Sequence, residues 1–104
     1  MVPAVSGSVA KVRTQEPGLR LRLYVAGNAP NSLRAIAHVR AICDEHFASE
    51  HELEIVDLLK YPQRALADGI IVTPTLLKLL PLPVQRVIGS LSDTNQVLLA
   101  LARK

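Results

Sequence analysis

The chain is poor in aromatic and sulfur-bearing residues, with two Tyr, one Phe, no Trp, one Met and one Cys among 104 residues. A single cysteine excludes an intramolecular disulfide and any zinc site built on several thiolates. Scarce aromatics leave Leu, Val, Ile and Ala to build the core, and they remove the stacking platforms on which single-strand nucleic-acid binders hold bases. Its basic residues are scattered, which further disfavours a nucleic-acid partner. No stretch approaches the roughly 18 apolar residues of a membrane span. The five glycines form no phosphate-binding loop, and no GxSxG elbow or other catalytic signature occurs. No enzyme activity and no cofactor are expected.

A chain of this length that is 49% hydrophobic has room for one small domain. Residues 1–18, MVPAVSGSVAKVRTQEPG, contain two Pro, two Gly and no hydrophobic run of signal-peptide length. They read as a frayed tail before a domain spanning 19–104, and a cytoplasmic location is expected. The net charge of +3 is unevenly placed. Asp44, Glu45, Glu50, Glu52, Glu54 and Asp57 lie together with no Lys or Arg between Ala41 and Leu59, so all twelve basic residues fall elsewhere, against Glu16, Asp68 and Asp93. Such a dipolar surface favours oriented docking on another protein.

In LRLRLYV, Leu19, Leu21, Leu23 and Val25 alternate with Arg20, Arg22 and Tyr24, the period of a strand with one wetter face. AGNAPNS supplies a turn, Asn31 or Ser32 is the expected cap, and a helix to about Phe47 would bury Leu33, Ile36, Val39, Cys43 and Phe47. ELEIVDLL is a second alternating strand. Joined through a helix, the two strands should be parallel and adjacent, with Arg20 and Arg22 beside Glu52 and Glu54. YPQRALADG predicts a short helix with Pro62 in its first turn and Gly69 just past its end. The stretch IVTPTLLKLL is ambiguous: its threonines and proline suggest a loop feeding a strand, whereas Leu76, Leu77, Leu79 and Leu80 are good helix formers. Pro81 and Pro83 interrupt the chain before VQRVIG, whose β-branched residues favour a strand. Ser92 is the expected cap of a last helix, with Asp93 in its first turn and Arg103 and Lys104 in its last.

The resulting order, β-α-β-α-β-β-α with the last two strands as a hairpin, is the thioredoxin-like order. In thioredoxin-like enzymes a CxxC pair stands between the first strand and first helix. Asn28-Ala29-Pro30-Asn31 occupies that place here, without a thiol, and Cys43 falls on the apolar stripe of the helix. Redox catalysis is therefore not expected. Thr73-Pro74-Thr75 resembles the cis-proline loop that faces the redox site in that fold, and a plain rigid turn is the alternative reading. His38 and His46, eight residues apart on one helix, are too far apart to share a metal ion, and His51 does not complete a ligand pattern.

The segments LRLYVAGNAPNSLRAI, LEIVDLLKYPQ, TPTLLKLLPLPVQRVIGSLSD and VLLALA, in this order, resemble the circadian clock protein family KaiB, and the resemblance covers Leu21 to Ala102. It implies a non-enzymatic protein that docks on the ring-shaped clock ATPase KaiC and alters its phosphorylation cycle. It also implies slow exchange between a tetrameric ground-state fold and a monomeric, binding-competent thioredoxin-like fold. In the former the leucine run is helical and the final helix becomes a strand, so Pro74, Pro81 and Pro83, together with Ala100 and Ala102, are the expected fold-switch positions. X-Pro isomerisation at the three prolines can slow the exchange. Relatives commonly carry Gly and Asp where Ala100 and Ala102 stand, so the thioredoxin-like form is expected to be more populated here. Glu52, Glu54, Gly69 and Ser90 also depart from the pattern, as does the missing acidic tail, which puts tetramer contacts and any contact with a KaiA-like protein in question. By the family's docking mode, Arg22, Arg34, Lys78 and Arg86 are the expected partner contacts. The rival resemblance is to the input domain of the clock histidine kinase SasA, and a thiol enzyme is the third class.

Overall fold

A computed structural model describes residues 18–47, 51–89 and 91–102. The tail expected over 1–18 falls almost wholly outside the described residues, as do Glu50, Ser90, Arg103 and Lys104. The elements run β1 (Leu19–Val25), α1 (Pro30–His46), β2 (His51–Asp57), α2 (Pro62–Ala67), β3 (Thr75–Leu80), β4 (Gln85–Ile88) and α3 (Thr94–Ala102). The sheet order is β2-β1-β3-β4. β1 pairs parallel with β2 and antiparallel with β3, and β3 continues antiparallel into β4. This is the thioredoxin-like arrangement read from the sequence, including the βαβ unit and the closing hairpin.

Alternation along β1 explains the layers. Leu19, Leu21 and Leu23 enter a core with Val39 and Cys43 of α1 and Val97 and Leu101 of α3. Tyr24 points to the opposite face, where it meets Val56, Leu77 and Ala65 of α2. The same two cores resolve the leucine run. As an inner strand, β3 has both faces covered, with Leu76 fully buried on the α1 and α3 side and Leu77 on the α2 side. A strand buried on two faces needs a continuous apolar run, and that demand overrides the helix preference of leucine.

Local details differ from the sequence reading. Ala29 is the residue preceding α1 and Pro30 opens it, because a fixed φ and a missing amide proton suit the first helical position. Ser32 lies inside the helix and is buried, its hydroxyl accepting the Ala26 N–H at 3.0 Å. Leu33 is 51% exposed and not on the buried stripe, which runs instead through Ser32, Ala35, Val39, Ile42 and Cys43. At the start of α3 it is Asp93 that caps, its Oδ1 accepting the Gln96 N–H at 3.1 Å. Leu91, just before it, is buried with φ 62°, a backbone conformation that a bulky side chain adopts only under constraint from its surroundings.

The helix α2 ends as the sequence predicts. Gly69, with φ 68°, donates to the Leu66 carbonyl at 3.1 Å, and Ile70 donates to the Ala65 carbonyl at 2.9 Å. These two bonds are the Schellman closure, which needs a left-handed residue where Gly69 stands.

Candidate functional site

The place that holds a CxxC in redox relatives of the fold is the Ala26–Ala29 turn and the first turn of α1. Gly27, at φ 56°, donates to Asp57 Oδ1 at 3.0 Å, and the same oxygen takes the Leu59 N–H at 2.9 Å. Asp57 thereby fastens the turn after β1 to the turn after β2. No thiol stands there. Cys43 is fully buried, and burial, aided by the nearby Asp44 charge, pushes its thiol up to about 11. A thiolate is the attacking species, so Cys43 is inert while the fold holds. Native protein at pH 8 should resist an aromatic disulfide reagent and react only as it unfolds. Stoichiometric labelling within the mixing time would contradict this placement.

Thr73–Pro74 is a cis peptide, as the resemblance to the thioredoxin cis-proline loop implied, and Pro74 is buried. Leu80–Pro81 and Leu82–Pro83 are cis as well. Thr75, buried beside Pro74, donates its hydroxyl to the Val72 carbonyl at 2.6 Å.

The four cationic candidates have different surroundings. Arg34 is exposed on α1 and its guanidinium donates locally to Asn31 Oδ1 at 2.7 Å. Arg22 is held from two sides, by Glu54 Oε1 at 2.9 Å and Asp68 Oδ2 at 2.9 Å. Burial works against its charge, but the bonds to Asp68 and Glu54 outweigh burial and raise its pKa. Arg86 lies along the α2 side and donates to the Gly69 carbonyl at 2.9 Å and the Asp68 carbonyl at 3.0 Å. Lys78, read from the sequence as a surface cation, is only 1% exposed, and burial lowers its pKa. Its place opposite Leu21 and Gln85 in the inner strand explains the difference, because a side chain on that face of β3 is covered by the sheet's helical layer.

The expected pair of Arg22 with Glu54 is extended by Arg64, Asp68 and Tyr24 into a polar network that the sequence did not announce. Arg64 of α2 forks onto Glu54, Nη2 to Oε1 at 2.9 Å and Nη1 to Oε2 at 2.8 Å. The bond from Arg64, acting against burial and joined by that from Arg22, draws the Glu54 carboxyl down to about 2. Arg20 and Glu52 pair at 2.7 Å in the register expected from the two strands. The acidic segment is thus partly neutralised by β1 and α2, and the charge separation at the surface is smaller than the sequence alone suggests. The Tyr24 hydroxyl, on a fully buried side chain, donates to Asp68 Oδ2 at 2.6 Å and lies 3.0 Å from the Arg64 carbonyl. Arg64 and Asp68 stand one turn apart at the end of α2, but Tyr24 lies 40 and 44 residues before them, so only tertiary structure could have brought it to them.

Among the described residues no three His, Cys, Asp or Glu side chains gather as a metal site, and no helix is long and apolar enough to cross a membrane. Exposed large hydrophobics fall in two main groups, Leu59, Tyr61, Leu66, Ile71 and Val72 around α2, and Leu82, Val84, Ile88 and Leu99 on the β3–β4 hairpin and α3.

The solution structure of the N-terminal domain of SasA from Synechococcus elongatus superposes with a TM-score of 0.69 at 25% identity, covering 100% of this chain and 96% of that one. The thioredoxin Deadhead of Drosophila superposes with a TM-score of 0.70 at 12% identity over 89% of each chain, which supports the fold alone. In sequence, the circadian clock oscillator protein KaiB of Prochlorococcus marinus is 53% identical over 81 residues, covering 78% of this chain and 68% of the relative. KaiB of Synechococcus elongatus is 52% identical over 81 residues, covering 78% and 79%. Residues 22–103, from within β1 through α3, match the KaiB domain model, and with relatives this similar over 81 residues the chain belongs to the KaiB family of circadian clock proteins.

Proposed function

We propose that this protein is a non-catalytic clock regulator of the cytoplasm that binds a KaiC-like ATPase ring in one nucleotide state and modulates its phosphorylation cycle. The observation that carries this reading is the 53% identity to a clock oscillator KaiB over 81 residues. The thiol-free turn before α1 and the buried Cys43 support a binding role over a redox one. Exposed apolar side chains around α2 are of the kind that protein interfaces cover. Binding is coupled to a fold switch in which the thioredoxin-like arrangement exchanges with a KaiB-type ground-state homotetramer or dimer. Pro74, Pro81, Pro83, Ala100 and Ala102 lie in the half that rearranges. Two packings within a few kcal/mol suffice for such exchange.

Arg34, exposed on α1, offers a cation to an acidic partner surface, with Arg22 and Arg86 as the other contacts in the proposal; Lys78, buried in the inner strand, is not among them in this arrangement. Reversing Arg34 to Glu is expected to weaken ring capture about two- to tenfold, more at low salt, because a rim charge acts mainly through screened electrostatics. Equal affinities at 20 and 300 mM salt for both proteins would remove Arg34 from the interface.

The test of the whole reading is size-exclusion chromatography with light scattering, with and without a purified KaiC homologue under ATP and under ADP. Capture in one nucleotide state supports it, and no capture in either refutes it. The end-to-end superposition on the SasA domain favours a second reading, a sensor module of SasA type acting with a histidine kinase. Under that reading the chain competes with a SasA input domain for the ring without altering ring phosphorylation, and a KaiA-like protein does not join the complex.

A further inference from the structure

We propose that the Asp68 side chain is the latch of the thioredoxin-like arrangement, pinning the end of α2 to β1 so that this corner can also hold β4. The inference deepens the fold-switch reading and rests on it. Two strands converge on the two residues that end α2. From β1, Tyr24 and Arg22 both donate to the same carboxylate oxygen of Asp68, at 2.6 and 2.9 Å. From β4, Arg86 forks onto the Asp68 and Gly69 carbonyls at 3.0 and 2.9 Å. Those carbonyls face Arg86 only while Gly69 keeps its left-handed turn and α2 stays seated, and the Asp68 carboxylate is what seats it.

The chemistry makes the latch directional. Charge-assisted bonds of this length are among the strong ones, and removing one partner leaves a buried phenol and a half-buried guanidinium short of an acceptor. Arg22 retains Glu54 if Asp68 is neutralised, whereas the buried Tyr24 hydroxyl keeps only the Arg64 carbonyl. Any rearrangement that withdraws residues 75–88 from the sheet must strip Arg86 from the corner. The corner therefore connects the part of the fold that stays to the part that is proposed to move.

Protonation should open the same latch. Facing Asp68 are Arg22 and Tyr24 from β1, Arg86 from β4 and Arg64 on its own helix, with Glu54 of β2 reaching it through Arg22. Burial disfavours the Asp68 charge, but bonds from Tyr24 and Arg22 outweigh burial and depress its pKa. A depressed carboxyl stabilises the fold fully above its ordinary pKa of about 3.9, and that stabilisation is lost as pH falls through the lower folded value.

The experiment uses the full chain and Asp68→Asn, which keeps shape and removes charge. At pH 7 the ratio of thioredoxin-like to all other conformers, from NMR peak volumes in moderate urea, is expected to fall about tenfold. The gap between the two proteins should narrow as pH drops below about 4, where the carboxyl of the competing conformers takes up its proton, and close as pH falls through the lower folded value. A ratio unmoved at pH 7, or a gap that persists unchanged in acid, would overturn the latch. Should Asp68→Asn fail to fold, Tyr24→Phe decides: it is expected to raise the Asp68 carboxyl pKa, read by carbon NMR, and an unmoved pKa overturns the proposal. Ring capture by the unmodified protein is scored separately, so a protein that ignores the ring refutes the clock reading without touching the Asp68 result.

Discussion

Leu23→Ala is expected to lower the unfolding free energy by about 2–5 kcal/mol, the cost of emptying a large side chain from a core that cannot fully collapse. Leu23 has no exposed surface and sits in the central strand, opposite Ile55 of β2 and Leu76 of β3. Its loss would leave a void under α1 that both neighbouring strands hold open. Domains of this size have roughly 5–15 kcal/mol to lose, so the variant should be only marginally folded at 37 °C. Because β1 and α1 belong to the half proposed to stay in place, the damage falls on both proposed arrangements alike. Ring capture should then decline in proportion to the folded fraction and not through a change of conformer. Urea denaturation followed by circular dichroism reads the effect, and a loss under 1 kcal/mol would show that the site repacks and that β1 is not the keel of the fold.

Particular residues show how far the sequence could be read. The Arg20 to Glu52 and Arg22 to Glu54 pairs were legible because alternation in each strand, together with the parallel rule for a βαβ unit, fixes which side chains become neighbours. The end of α2 at Gly69 was equally legible, since a left-handed cap leaves a local mark. Lys78 was not. Periodicity marked it as the polar residue in an apolar run, and a lone lysine is ordinarily solvated, but nothing local reveals that β3 is an inner strand with both faces covered. Leu33, expected in the core, is exposed and Ser32, expected as a possible cap, is buried for a related reason: one helical turn contains several nearly equivalent stripes, and the position of α1 over the sheet selects among them. Asp68 gave no local signal. Its role depends on Tyr24 and Arg22, more than forty residues earlier, reaching the same oxygen.

A paired change at the end of α3 separates one fold from two. Ala100→Gly with Ala102→Asp is expected to cost α3 about 2 kcal/mol, from lost helix propensity and an acidic side chain placed at the negative end of the helix dipole. Ala102 is exposed and Ala100 only partly buried, so little packing is disturbed and the change acts mainly on local preference. If the proposed ground-state arrangement exists, its extended final segment does not carry this cost, and the equilibrium moves toward it by roughly tenfold or more. NMR secondary shifts over Gln96 to Ala102 would then report a strand in the variant, together with a larger assembly by light scattering and slower ring capture. The unmodified chain, with alanine at both places, should by the same reasoning populate the thioredoxin-like form in most molecules. If the variant merely melts earlier, with no extended conformer and no assembly at any protein concentration, α3 has no alternative to which it can go. The clock reading would then have to stand on a single rigid thioredoxin-like form that meets the ring without changing its fold.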